Sequence, residues 1–131
     1  IYAADKKGIQ LRLSPDLDES LRLDVQRMIP CGLIINELIL NAVKHAFHGQ
    51  EQGQIYISLE HQAPDLIIVV KDNGCGLPDN FSWRKQTGLG SQLIPMFAQQ
   101  LKARLNFSST TEGTRFELSF SYLEKELSNE C

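Results

Sequence analysis

No stretch of this sequence approaches the roughly 20 consecutive apolar residues that a membrane-spanning helix needs, and no basic segment followed by an apolar one opens it as a leader peptide would. The chain is therefore expected to make no membrane contact. Positive charge is also scarce: 13 Lys and Arg stand against 16 Asp and Glu, for a formal net charge of −3. A broad nucleic-acid footprint normally shows as a basic stripe, so nucleic acid is not the expected partner, and any phosphate must be held by local chemistry. Cysteine is limited to Cys31, Cys75 and Cys131, odd in number, far apart and without a Cys-x-x-Cys pair. That argues against a disulfide framework or a zinc site and for a reducing, cytoplasmic setting. An initiator methionine is absent, the first residues being Ile1-Tyr2-Ala3-Ala4-Asp5, so residues 1–7 read as the remnant of an upstream linker or dimerisation helix.

What is present suits one domain, expected over 8–122, with a polar tail over 123–131. Ile9, Leu11 and Leu13 alternate with polar residues, the period-2 signature of a half-buried strand that Pro15 ends. A helix is predicted from about Met28 to Phe47, with Pro30 in its first turn and Gly49 and Gly53 closing it. Alternation returns over Gln54–Glu60. The continuous run Leu66–Val70 reads as a neighbouring strand buried on both faces. A second helix opens at Gly88-Leu89-Gly90, where Pro95 either marks a late first turn or distorts the helix. Leu105 and Phe107, a turn at Glu112-Gly113, then Phe116, Leu118 and Phe120 read as a closing hairpin. Helices gathered on one face of a mixed sheet would bury all these stripes, giving an α+β, two-layer α/β sandwich.

Three features carry chemistry. Glu37, Asn41, Lys44 and His45 fall within roughly a third of the circumference of an otherwise Ile- and Leu-rich helix. Charge on so apolar a helix needs a partner, and a ligand bringing a metal and negative charge would satisfy both the carboxylate and the ammonium. Asp72-x-Gly74-x-Gly76 stands where a buried strand runs out. Its glycines permit close approach of backbone to a ligand, although a turn closed by the Asp72 side chain would need the same residues. Gly88-Leu89-Gly90 arises readily by chance and is informative only in company.

In this order and at these distances, Glu37-x-x-x-Asn41-Ala42-x-Lys44-His45, Asp72-x-Gly74-x-Gly76, Gly88-Leu89-Gly90 and Gly113-Thr114-x-Phe116 resemble the four motifs of the Bergerat-fold ATPases. That superfamily includes gyrase, heat-shock chaperone, histidine kinase and mismatch-repair ATPase domains, and the resemblance covers about residues 8–121. Within it, the wording from Cys31 to Phe47 is similar to bacterial sensor histidine kinases. The subgroup with a compressed lid fits best: Gly76-Leu77-Pro78 follows the Asp72 motif, and only nine residues separate Pro78 from Gly88.

The resemblance implies an ATP-binding domain that passes the γ-phosphate to a histidine on a dimerisation domain of the same protein, with a response regulator downstream. Asp72 would accept the adenine amine, with Thr114 assisting through a water. Asn41 would ligate Mg²⁺ through its amide oxygen, Lys44 and His45 would lie beside the phosphates, and Gly88, Leu89 and Gly90 would offer them backbone N–H groups at a helix mouth. Arg84 and Lys85 are lid candidates for the γ-phosphate. Glu37 would polarise the nucleophile. None of His45, His48 and His61 suits a phosphoacceptor, which should stand exposed on a helical bundle. Two other members of the same fold remain open: a serine kinase of the anti-sigma-factor type, and an ATP-gated ATPase module.

Overall fold

A computed structural model describes residues 8–14, 22–82 and 89–122. The expected remnant at 1–7, the tail at 123–131, Pro15, Arg84, Lys85 and Gly88 lie outside them. The elements run β1 (Ile9–Leu13), α1 (Val25–Asn41) with a π-helical turn (Ala42–Ala46), β2 (Gly53–Gln62), β3 (Asp65–Asp72), α2 (Leu89–Gln100), β4 (Arg104–Thr110) and β5 (Gly113–Ser121). The order is the one expected from the alternating and helical patterns. The sheet order is β1-β2-β3-β5-β4, with β1 parallel to β2 and every other pair antiparallel.

Strand register explains how one sheet face becomes core. Leu59, Ile68, Leu118 and Leu105 stand opposite one another in one row, and Ile57, Val70, Phe116 and Phe107 in the next. Ile34, Leu38 and Cys31 of α1 and Ile94, Ala98 and Leu101 around α2 join this face in a single cluster, so both helices cover the same side. Because side chains repeat every second residue, the next row along this face is Ile55, Asp72, Thr114 and Ser109. The apolar face thus ends in a polar row.

Several details differ from the sequence expectations. α1 begins at Val25, so Pro30 is its sixth residue rather than a first-turn residue. The cost is a missing hydrogen bond to the carbonyl of Gln26, which is exposed and can turn to water. Gly53 is the first residue of β2, where the alternating run was expected to begin, and a side chain there would overlap the Phe47 ring. α2 starts six residues before Pro95, which removes the late-first-turn alternative. Strand β3 is less enclosed than a run buried on both faces: Val69 is buried but stands outside the core cluster, and Ile67 is only half-buried. Its central place in the sheet, rather than a second helical layer, covers Val69.

The end of α2 and the start of α1 are also fixed chemically. Lys102, at φ 53°, takes the left-handed position that ends α2, with Lys102 N–H donating to Gln99 O and Ala103 N–H to Ala98 O at 3.0 and 2.9 Å. That pair of bonds is a Schellman cap without its usual glycine. At the start of α1, Asp24 Oδ1 makes an ion pair with Arg27 at 2.6 Å instead of capping the helix. The fully buried Tyr122 bonds through its hydroxyl to the Arg22 carbonyl and so ties the end of β5 to the approach to α1.

Candidate nucleotide site

The polar row opens into a cavity of about 370 Å³ between the π-helical turn, the loop after β3 and the start of β5. Asn41, His45, Asp72, Gly76 and Thr114, five of the residues singled out in the sequence, line it. Ala42, Ala46, Phe116, Leu77, Pro78 and Phe81 supply apolar walls. A volume within the range of small-molecule sites, apolar walls and a few convergent polar groups are what a flat heteroaromatic ligand needs.

Asp72 is 8% exposed, on the buried face of the sheet. Its Oδ1 accepts the Gly74 N–H at 2.9 Å and the Thr114 N–H at 3.3 Å, and Oδ2 has no partner among the described residues. Oδ1 thus closes the turn that the sequence allows, and Oδ2 takes no part in it. Burial pushes the Asp72 carboxyl above its ordinary value, and the two N–H groups hold it partly back.

The loop reaches its place by close backbone contact. Cys75 N–H donates to the Ala46 carbonyl at 2.7 Å, and a side chain at Gly74 would overlap that carbonyl. Gly76, at φ 87°, passes the Thr110 carbonyl so closely that no Cβ could stand there. The loop is thus threaded between the π-helical turn and the β4–β5 hairpin. Ser109 adds a tether, accepting the Leu77 N–H at 2.6 Å.

Glu37 and Lys44 do not line the cavity. The wider π-helical turn after Asn41 changes the phase of the helix, so the stripe drawn at 100° per residue does not continue unbroken to Lys44, which is exposed. Glu37 is half-buried and faces the first turn of α2, where a side chain at Gly90 would overlap its carboxylate. Gly74 supports the loop from beneath, Leu89 starts α2, and Gly88 lies outside the described residues. No group of three or more His, Cys, Asp or Glu converges to hold a metal among the described residues. The donor set suits an ion that arrives with its own oxygen ligands better than one held by protein alone.

Sequence reasoning missed Ser109, Cys75 and Phe81 as site components. Phe81 packs edge-on to Phe107, with ring centroids 5.1 Å apart, and meets Phe116 at 6.5 Å. A lone loop phenylalanine carries no periodic signal, and only the pairing of β4 with β5 brings Ser109 beside Thr114.

Comparison with known proteins agrees with this geometry. Among curated relatives, the sensor histidine kinase PdtaS of Mycolicibacterium smegmatis is 42% identical over 73 residues, 55% of this chain and 15% of that protein. Blue-light-activated histidine kinase 2 of Erythrobacter litoralis is 32% identical over 84 residues, 63% of this chain and 24% of that protein. The chain thus spans a quarter or less of the length of these kinases. Among solved structures, the histidine kinase domain of a blue-light-activated histidine kinase from Erythrobacter litoralis superposes with a TM-score of 0.78 at 24% identity, covering 88% of this chain and 55% of that one. The catalytic domain of histidine kinase ThkA does so with a TM-score of 0.70 at 21% identity, covering 86% and 78%. These likenesses establish the fold. The model of the histidine kinase-, DNA gyrase B- and HSP90-like ATPase family matches residues 28–124, most of the chain, and the protein belongs to that family.

Proposed function

We propose that this chain is the ATP-binding catalytic domain of a two-component sensor histidine kinase, passing the γ-phosphate of ATP to a histidine on a separate dimerisation domain of the same protein. The observation that carries the reading is Asp72: a carboxylate on the buried sheet face, one oxygen consumed by Gly74 and Thr114 and the other left toward an apolar cavity. An ionised carboxylate only accepts, so it selects a base edge that donates, as the adenine amine does. Thr114, in the same row, assists at that edge. The apolar walls take the purine, and the phosphates extend toward Asn41 and His45, which line the same cavity.

Asn41 would hold Mg²⁺ through its amide oxygen, and the bound ion would supply charge neutralisation on the phosphates. Lys44 meets phosphate as a point charge, and the N–H groups at Gly88, Leu89 and Gly90 meet it at the mouth of α2. Glu37, beside that mouth, polarises the acceptor imidazole when the dimerisation domain docks. A response regulator then takes the phosphate, and the reaction runs in the cytoplasm, where ATP is available.

Isothermal calorimetry with ATP and Mg²⁺ tests the reading. Heat of binding with one site per chain is expected; none at millimolar ATP would overturn it.

One observation favours a second reading. An anti-sigma F factor of Priestia megaterium, 25% identical, aligns over 90% of this chain and 77% of its own length. A serine kinase of that type would leave an acid-stable phosphoserine on its target, whereas phosphohistidine is lost in acid. The higher identities lie with the histidine kinases.

A further inference from the structure

We infer that Ser109 is a positioning residue for base selectivity, setting the direction in which the Thr114 hydroxyl points its proton. The inference rests on the nucleotide reading above and deepens it. Ser109 Oγ lies 3.1 Å from Thr114 Oγ1 and accepts the Leu77 N–H at 2.6 Å. Both residues project from the same row of the sheet, Ser109 directly opposite Thr114.

Either hydroxyl of the pair can donate, and the inference assigns the donor to Ser109. The Leu77 N–H can only donate, so it takes one of the two lone pairs of Ser109 and favours use of the Ser109 proton toward Thr114 Oγ1. Thr114 then accepts from Ser109, and among the described residues its hydroxyl has no other partner. Its proton is directed to the cavity that Thr114 lines. A hydroxyl that accepts a bond becomes a better donor, so the relay from Leu77 through Ser109 strengthens the last donor in it.

The cavity consequently presents an acceptor beside a donor: Asp72 Oδ2, and the Thr114 hydroxyl directly or through one water. Adenine carries the complement, a donating amine beside the accepting ring nitrogen N1. Guanine carries the reverse, an accepting oxygen beside a donating N1–H, and would set like against like at both positions. Asp72 alone rejects the guanine oxygen; Ser109 extends the discrimination to N1. The same residue ties the loop bearing Leu77 to the sheet, so the relay exists only when the loop is closed on the hairpin.

The test compares ADP with 1-deaza-ADP, in which N1 is replaced by a C–H, on wild type, Ser109→Ala and Ser109→Thr, by calorimetry. Wild type should bind ADP about fivefold more tightly than 1-deaza-ADP, the size of one neutral hydrogen bond. Ser109→Ala removes the loop tether for both nucleotides but the relay for ADP alone, so it should weaken ADP about fivefold more than 1-deaza-ADP and the preference should disappear. Ser109→Thr, which keeps the hydroxyl, should restore it. A role confined to holding the loop would weaken both nucleotides equally, and an unchanged ADP preference in Ser109→Ala overturns the inference while the nucleotide reading stands. Failure of wild type to bind ADP at all overturns both.

Discussion

Replacing Asp72 by Asn separates the two jobs that its carboxylate performs. Oδ1 accepts N–H groups from Gly74 and Thr114, and an amide oxygen can accept both, so the turn should survive. At the other position an acceptor becomes an NH₂ donor, facing the adenine amine. A hydrogen bond to a charged group contributes about 1.5–3 kcal/mol, so ATP should bind roughly 10- to 150-fold more weakly. The folded protein should respond in the opposite sense. Burial raises the Asp72 pKa above 3.8, so between that value and the raised one the folded state binds more protons than the unfolded state. Stability therefore falls as pH rises through this window and stays lower above it, and an uncharged Asn escapes the loss. Thermal denaturation at pH 7 should show Asp72→Asn melting at or above the wild-type temperature without ligand, with the rise caused by ATP lost. In wild type, ATP affinity should fade as acid protonates Asp72, beginning above pH 3.8. An ATP Kd within twofold of wild type in Asp72→Asn would refute the assignment of adenine to this carboxylate.

Other outcomes follow from single contacts. Glu37→Ala should leave ATP affinity within about twofold and abolish phosphotransfer in the full-length kinase; transfer at the wild-type rate would make Glu37 purely structural. Gly90→Ala pushes on the end of the flexible Glu37 side chain rather than on backbone, so melting should change little while transfer falls. Lys102→Gly should stabilise the domain by up to about 1 kcal/mol in urea titrations, because glycine takes the left-handed cap without Cβ strain. Burial pushes the Cys31 thiol up to about 11, while Cys75 is exposed on the cavity. Iodoacetamide at pH 8 should therefore label Cys75 and spare Cys31 by peptide mapping, and ATP should slow Cys75 labelling.

Much of this was legible along the chain. The sequence puts Asp72 where the apolar run Leu66–Val70 ends, and the register adds that it shares a face with Leu66, Ile68 and Val70. The order of elements, the hairpin and the one-sided helical layer likewise follow from periods of two and 3.6, which are local properties. A local rule fails where its context differs: Pro30 is expected in a first turn, yet α1 begins at Val25, three residues before the expected start, and the bond Pro30 cannot make falls on the exposed Gln26.

By itself, then, the sequence determined the elements and the carboxylate at the end of a buried strand, because backbone periodicity and side-chain polarity are properties of neighbours. Only the tertiary structure decided which oxygen of Asp72 meets Thr114, that Glu37 faces α2 rather than the cavity, and that Ser109 stands against Thr114. The first two depend on elements far apart in the chain meeting at ångström distances, and the third on the exact register of the hairpin. No periodicity encodes them.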